Sequence, residues 1–272
     1  MSELLDRVVE VTIGKRGNNG TLYNNLRVSF KVEKSVESKP NKGEVKVYNL
    51  TKDSRSKAEQ TGNVLILKAG YGQQIQTIFT GDVARAQTDF DGIDYATTFE
   101  LGDGEAIYST GRSELSFVKG TDVKTAVEKI LSGAGAILGD LTGLKSEKLQ
   151  SGLVLSGNIR KHLDDIAERQ GFEWSIQDDK FQVLTKGTAT KEEAILLSSD
   201  TGLIGLPKAR FGKIKGDRSI QFECLLNGKI KAGRAVILTS KAFNGRYRIE
   251  KVTHTGDNYG AEFLSKCEAV PL

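Results

Sequence analysis

Three aspartates lie close together in the segment DFDGID, at Asp89, Asp91 and Asp94. Carboxylate oxygens are the ligands that Ca²⁺ prefers, and calcium loops begin with acidic residues at alternate positions. Such a loop needs its glycine at the sixth position, whereas Gly92 is the fourth residue and apolar residues separate the aspartates. The segment is therefore predicted to be a β-hairpin with a type I′ turn at Asp91-Gly92.

The glycines of residues 133–139 (GAGAILG) suggest a phosphate-binding loop at first sight. A phosphate loop follows a strand and opens a helix, because the free N–H groups at the helix N-terminus bind the anion. Here the glycines follow a helical pattern instead. We interpret them as the end of a helix and a flexible connection.

The remaining candidates for catalytic or metal-binding residues are two histidines, His162 and His254, and two cysteines, Cys224 and Cys267. The histidines lie in different predicted units without a recognisable nucleophile, and zinc needs three or four nitrogen or sulfur ligands. We expect His162 on the polar side of a helix, His254 near a strand end, and both cysteines buried as small apolar side chains. The sequence predicts no catalytic, cofactor-binding or metal-binding residue, no cofactor, and no enzymatic role.

The composition favours a β-rich globular chain. Thirty glycines against three prolines must make most of the turns in the 272 residues, and hairpin turns with positive φ need glycine or asparagine. The 39 basic and 35 acidic residues are interspersed, which is untypical of a nucleic-acid-binding surface. The N-terminal residues lack a signal-peptide pattern, and no apolar run approaches the ~20 residues of a membrane helix, so no membrane insertion is expected.

Alternating apolar residues predict an antiparallel sheet in the first region. The predicted strands lie in LRVSFKV, GEVKVYNL, VLILKAG, QTIFTGDV and the hairpin TDFDGIDYATTFEL. Val45 and Val47 should be buried. Between the second and third strands, Thr51 is predicted to cap a short helix that Gly62 ends.

A helical period then replaces the alternation. Thr121 and Gly133 should bound a helix with one apolar stripe, and a second amphipathic helix should stop at Gly171. The hairpin FEWSIQDDKFQVL follows, with Trp174 and Ile176 opposite Phe181 and Val183. The predicted helix stripes consist of Val123, Ala126, Val127, Ile130 and Leu131, and of Ile159, Leu163, Ile166 and Ala167.

Alternation returns near Gly205 and resembles the first region. VLIL aligns with AVIL, Thr80-Gly81 with Asn244-Gly245, Asp89 to Gly92 with Asp257 to Gly260, Phe99 with Phe263, and Glu105-Ala106 with Glu268-Ala269. The fold class is thus mainly β with an inserted α/β unit, and the two β domains are predicted to be related barrel-like or sandwich-like structures. The predicted domains are residues 1–112, 113–196 and 197–272.

In this order the segments resemble the baseplate hub proteins of phage tails and related contractile particles. The resemblance lies in GEVKVYNLTKDSR with LKAGY and IFTGDV, in IRKHLDDIAERQGFEWSIQDDKFQVL, and in CLLNGKIKAGRAVIL with NGRYRIEKVTHTGDNYGAEFLSKCEAVP. These segments span most of the chain. None is a catalytic signature, so their order and the repeated β unit carry the resemblance.

The resemblance implies a structural virion protein with two tail-tube-like β domains. Three copies would form a homotrimeric, pseudo-sixfold ring that joins the tail tube to the central spike and lets DNA pass without specific binding. The expected partners are the tail tube protein, the central spike protein, the tape measure protein and other baseplate proteins. The expected location is the virion baseplate, after assembly in the host cytoplasm.

Two other functions remain open from the sequence. Phe172 and Trp174 near a hairpin suggest a cell-wall or carbohydrate-binding module of a phage tail. An unrecognised carboxylate pair would make the chain a hydrolase. The polar connections at residues 39–43 and 50–62 are candidates for contact between rings, or else solvated loops.

Overall fold

The computed structural model describes residues 6–211 and 218–272. The alternating segments of the first region form strands with one buried face, and Val45 and Val47 are fully buried. Thr51 caps α1 by accepting a hydrogen bond from the backbone of Ser54, as predicted, but the helix ends at Ala58, with Glu59 rather than Gly62 at its C-terminus. This first β unit comprises β1 (Arg7–Lys15), β2 (Thr21–Tyr23), β3 (Val28–Ser35), β4 (Lys42–Tyr48), α1 (Lys52–Ala58), β5 (Asn63–Tyr71), β6 (Gln74–Asp91) and β7 (Asp94–Gly102).

An α/β unit follows, as the change of period predicted. Its helices bury the predicted apolar stripes, and its hairpin pairs Trp174 with Val183 and Ile176 with Phe181. Its strands form two small sheets, β8 with β10 and β11-β12-β9. This inserted unit comprises α2 (Glu105–Tyr108), β8 (Arg112–Phe117), α3 (Val123–Gly133), β9 (Ile137–Leu138), β10 (Leu153–Asn158), α4 (Ile159–Gln170), β11 (Phe172–Gln177) and β12 (Lys180–Thr185).

The second β unit completes the described chain. Its strands, together with those of the first β unit, form a sheet of thirteen described strands in the order β14-β15-β18-β17-β3-β4-β7-β6-β5-β1-β2, with β16 on β17 and β13 on β16. The two units therefore share one sheet, joined where β3 pairs with β17. The second unit comprises β13 (Ile195–Leu197), β14 (Leu203–Phe211), β15 (Arg218–Leu225), β16 (Ala235–Thr239), β17 (Asn244–Asp257) and β18 (Phe263–Pro271).

The two β units repeat one strand order. The first runs β3-β4-β7-β6-β5-β1 and the second runs β14-β15-β18-β17-β16-β13, with each hairpin in the equivalent place. Both carry a β-bulge at the same point, between Val83 and Arg85 in β6 and between Ile249 and Lys251 in β17. They differ in that β1 is antiparallel to β5, whereas β13 is parallel to β16. The shared bulge fixes which residues are equivalent.

This register corrects part of the sequence alignment. VLIL and AVIL are equivalent, but Phe99 corresponds to Cys267 rather than to Phe263, because the β17–β18 connection is longer than the β6–β7 turn. The register also makes Thr80 equivalent to Arg246 rather than to Asn244, and Asp89 equivalent to Thr255 rather than to Asp257. Glu105-Ala106 lies in α2, whereas Glu268-Ala269 lies in β18, so that pair is not equivalent.

The hairpin and helix ends also differ in detail from the prediction. Asp91 pairs with Asp94, so the turn is Gly92-Ile93, and only Gly92 has a positive φ, as a type II′ turn requires. Asp122 rather than Thr121 caps α3, because its carboxylate accepts hydrogen bonds from the first-turn backbone. That helix includes Gly133. Gly171 ends α4 in the left-handed conformation, as predicted. No helix among the described residues is long and apolar enough to cross a membrane.

Candidate assembly site at the junction of the three units

The backbone ladder between β3 and β17 joins the two β units. It pairs seven residues in sequence, from Ser35 opposite Lys251 to Ser29 opposite Asp257. On the core side, Phe263 packs edge-on against Phe30, with ring centroids 6.2 Å apart. The ladder satisfies strand edges that either unit would otherwise leave open.

The connection between β17 and β18 secures the start of β3. The side chain of Asn258 accepts a hydrogen bond from Val28 N at 2.8 Å and donates one to Leu26 O at 2.9 Å. Beside it, Arg27 and Asp257 form an ion pair at 2.9 Å. Burial alone would raise the pKa of Asp257, but the hydrogen bonds from Arg27 and from backbone N–H groups lower it below its usual value.

A buried charged cluster lies where all three units meet. Lys34 of β3 is 2% exposed and forms an ion pair with Asp178 in the β11–β12 turn of the inserted unit. Lys231 of the second β unit contacts the same carboxylate at 3.4 Å. Burial lowers the pKa of Lys34, whereas the two lysines outweigh burial and lower the pKa of Asp178. One carboxylate therefore compensates cations from both β units.

A second polar contact binds the inserted unit to the first sheet. Asn41 donates its backbone N–H and its side-chain amide to the carboxylate of Asp103, both at 2.9 Å, and the same amide donates to Ile176 O at 2.6 Å. Ser35 N donates to the Asn41 side chain. Burial raises the pKa of Asp103 to about 7. The predicted contact segment 39–43 is thus partly an internal junction.

Arg248 of β17 makes the third link. Its guanidinium pairs with Glu173 of β11 and, at 2.6 Å, with Glu250, and it donates to Thr188 O at 3.0 Å. Arg248 is 4% exposed, so these partners replace its hydration. The inserted unit therefore contacts both β units through hydrogen-bonded charges.

The comparisons with known proteins decide the family. The model of the Baseplate hub gp41 family matches residues 8–269. The chain belongs to this family. As a baseplate hub, it is a structural component of a phage tail. No curated protein matches the hub chain in sequence.

Solved structures share the fold at low sequence identity. The hub chain resembles the 43 kDa tail protein of prophage MuSo2 from Shewanella oneidensis (TM-score 0.68, 10% identity, 98% of each chain). It resembles the tail protein from Neisseria meningitidis MC58 (TM-score 0.67, 8% identity, 97% of this chain and 96% of that chain). It also resembles the E. coli c3393 protein (TM-score 0.65, 12% identity, 96% of this chain and 76% of that chain). These likenesses confirm the predicted fold class.

The structure does not bring the two histidines together. His162 lies on the buried side of α4, so its predicted polar position is wrong, and its Nε2 has no hydrogen-bond partner. His254 is buried in β17, with Nδ1 2.8 Å from the Ser265 hydroxyl, and burial lowers its pKa to about 3. Cys224 and Cys267 are buried free thiols, as expected. No metal-binding group of side chains occurs within residues 6–211 and 218–272.

The aromatic residues proposed for carbohydrate binding are part of the core. Phe172 and Trp174 are each 2% exposed, and Trp174 stacks between Tyr108 and Phe181. Its indole Nε1 donates to Asp164 at 2.9 Å. These two rings therefore do not support a carbohydrate-binding module, since an aromatic side chain that stacks on a sugar needs an accessible ring face.

Sequence reasoning missed the charged junction, although one signal for it was present. Lys34 continues the inward-facing series Val28, Phe30 and Val32, so alternation places a lysine in the core. His254 occupies an inward position of β17 in the same way. A lysine at an inward strand position indicates a buried counter-charge, but that of Lys34, Asp178, is remote in sequence.

Proposed function

We propose that the hub chain forms a homotrimeric, pseudo-sixfold ring that joins a sixfold tail tube to a central spike. The observation that carries this proposal is the repeated strand order with its shared bulge, because two equivalent β units per chain give three copies six equivalent positions. The expected neighbours are the tail tube, spike and tape measure proteins and other baseplate proteins. In this proposal the ring is assembled in the host cytoplasm and has no catalytic role.

We also propose the division into residues 1–112, 113–196 and 197–272. Three hydrophobic clusters support a division into three units. Three residues near the boundaries pack with the following unit, because Ile107 and Tyr108 belong to the cluster of the inserted unit and Ile195 packs against that of the second β unit. Leu226 and Phe263 of the second β unit contribute to the first cluster, which binds the two β units closely. The inserted unit has its own core and would lie outside the ring.

Similar structures support the same setting. The c3393 protein is a component of the type VI secretion system with structural similarity to the T4 tail proteins gp27 and gp5. A Francisella PdpA–VgrG complex also shares the fold, with TM-score 0.63 at 6% identity over 98% of this chain and 58% of that chain. By analogy we assign the hub chain a place between tube and spike.

The charged face of the sheet fits a channel for DNA. This face lies opposite the core, and its basic and acidic side chains pair with one another within and between strands, so it offers few free cations to phosphates. The pairs are Lys31–Glu33, Lys46–Glu44, Arg85–Glu100, Arg210–Glu268, Lys251–Glu33 and Lys266–Glu223. We propose that this face lines the lumen.

Native mass spectrometry and electron-microscope class averages of the purified chain test the ring. Three copies in a ring with an open centre are expected. A monomer at high concentration contradicts the proposal.

Retention of duplex DNA on a filter tests the lumen separately. The wild type should retain little DNA at physiological salt, and Glu33→Lys with Glu100→Lys should retain more, with a steeper salt dependence. Glu128→Lys and Glu168→Lys, on helices of the inserted unit, give a matched control for net charge. Equal retention by both double variants would contradict a lumen at this face.

A further inference from the structure

The contact between the two β units provides a template for the contact between two chains. In the second unit, β17 binds β18 on one side, while its other side binds β3 of the first unit. The equivalent strand of the first unit is β6, which pairs with β7 from Asp82 to Asp91, whereas its pairing with β5 ends at Asp82. Within the described chain, residues 84–91 of β6 therefore keep one backbone edge free.

The strand that would fill this edge is also free. β14 is the equivalent of β3, and in the described residues it pairs with β15 alone. Exposed side chains lie along both edges, among them Arg85, Gln87 and Asp89 of β6 and Lys208 and Arg210 of β14. Free N–H and C=O groups on a long strand edge favour pairing with another chain.

We infer that β14 of one copy pairs antiparallel with residues 84–91 of β6 in the next copy and so closes the ring. This inference rests on the proposed trimer and gives it a register. The shared bulge makes Arg85 equivalent to Lys251, and the β3–β4 and β14–β15 ladders make Lys31 equivalent to Lys208. Since Lys31 lies opposite Thr255, Lys208 lies opposite Asp89 of the neighbour.

The chemistry of the two edges agrees with this register. The carboxylate of Asp89 faces the ammonium group of Lys208, an opposite-charge pair of the kind that stabilises antiparallel strands. At the tip of the β6–β7 hairpin, Phe90 is 71% exposed and Ile93 is 98% exposed. Leu206, on the bulge of β14 and two residues before Lys208, is 60% exposed. The pairing would cover these apolar side chains.

The other end of the sheet is a poorer partner for β14. There the outermost strand, β2, has three residues, Thr21–Tyr23. The template ladder pairs seven residues, from Ser29 to Ser35, and the free part of β6 is long enough for a similar ladder. If the ring closed instead by pairing β14 of one copy with β2 of the next, most of β14 would stay unpaired.

Disulfide trapping in the full chain tests the register. Directly opposite residues of antiparallel strands have Cα atoms about 4.5–5.5 Å apart, within the range of a disulfide. Asp89→Cys with Lys208→Cys should therefore give covalent dimers and closed trimers on non-reducing gels. Arg85→Cys with Lys208→Cys is the matched control, because it displaces one thiol by four residues, or about 13 Å.

A third pair, Leu22→Cys with Lys208→Cys, would cross-link if β14 of one copy paired with β2 of the next. A native trimer in which the Asp89–Lys208 pair does not cross-link, or in which the Leu22 or Arg85 pair cross-links instead, overturns the register and leaves the proposed ring intact. A native mass of one copy overturns the ring and the register together.

A charge exchange gives a second measurement without cysteines. Asp89→Lys places like charges opposite each other and should weaken trimer association roughly fivefold to tenfold per interface. Adding Lys208→Asp should restore association to about the wild-type level. Additive loss in the double variant would show that these two side chains do not meet.

Discussion

The two β units have the same strand order but different surroundings at equivalent edges. Where β3 meets β17 within the chain, the inserted unit adds Asp178, and the longer β17–β18 connection adds Asn258. The equivalent edges of β6 and β14 have no such additions in the described chain, and the β6–β7 turn there consists of Gly92-Ile93. The comparison teaches that a repeated scaffold acquires unequal contacts through its connections: the β3–β17 contact is fixed within the chain, whereas the equivalent edges of β6 and β14 stay free among the described residues.

The largest expected effect tests the charged cluster at the β3–β17 junction. Asp178→Asn keeps the size of the side chain and tolerates the positive φ of 53° at this position. It leaves Lys34 buried without a counter-charge, so the free energy of unfolding should fall by about 3–5 kcal/mol in urea titrations.

The neighbouring residue offers a matched control. Asp179 also has a positive φ and pairs with Arg16, which is half exposed. Asp179→Asn should therefore cost about 1 kcal/mol or less. Equal losses for the two variants would contradict the special role of the cluster.

The next largest expected effect is a pH dependence of the free energy of unfolding that arises from Asp103. The pKa of Asp103 rises from 3.8 to about 7 on folding, so between these values the folded state binds a proton that the unfolded state has released. The contribution of Asp103 to stability is therefore largest at low pH and is lost as the pH rises through about 7. From about pH 8 to about pH 5, wild type should gain about 2–3 kcal/mol relative to Asp103→Asn.

This measurement must be a difference between two proteins. His254, whose pKa is lowered on burial, contributes in the opposite direction, because its stabilisation is lost as the pH falls below its ordinary value of 6.5. Both proteins contain His254, so its effect cancels. Urea titrations at each pH give the values, and parallel profiles for the two proteins would refute the raised pKa.

The smallest expected effect concerns the longer connection of the second unit. Asn258→Ala removes two hydrogen bonds to the start of β3 and should lower the free energy of unfolding by about 1–3 kcal/mol. Tyr259→Ala, at a position 75% exposed, is the control and should change it by about 0.5 kcal/mol or less. Thermal unfolding of both variants checks the prediction, which fails if the control is equally destabilised.

The regular elements followed from local sequence patterns. The buried faces of β4 and of the two long helices are as predicted, because side-chain periods of 2 and 3.6 residues are properties of the chain itself. The prediction for His162 was wrong because the elements that pack against α4, rather than the sequence of α4, decide how much of the helix surface is covered. The hairpin turn shifted by one residue because strand pairing fixed the register at Asp91 and Asp94.

By itself, the sequence determined the two long helices, many of the strands, the presence of a repeated unit and the resemblance to baseplate hubs, since each depends on the order of residue types along the chain. It did not reveal β1, β8 or β10. Only the tertiary structure decided that one sheet runs through both β units, that Asp178 compensates Lys34, and that β14 and residues 84–91 of β6 have no second strand partner among residues 6–211 and 218–272. The physical reason is that these features are long-range: backbone pairing and buried charges join residues far apart in sequence, and no local pattern encodes the partner.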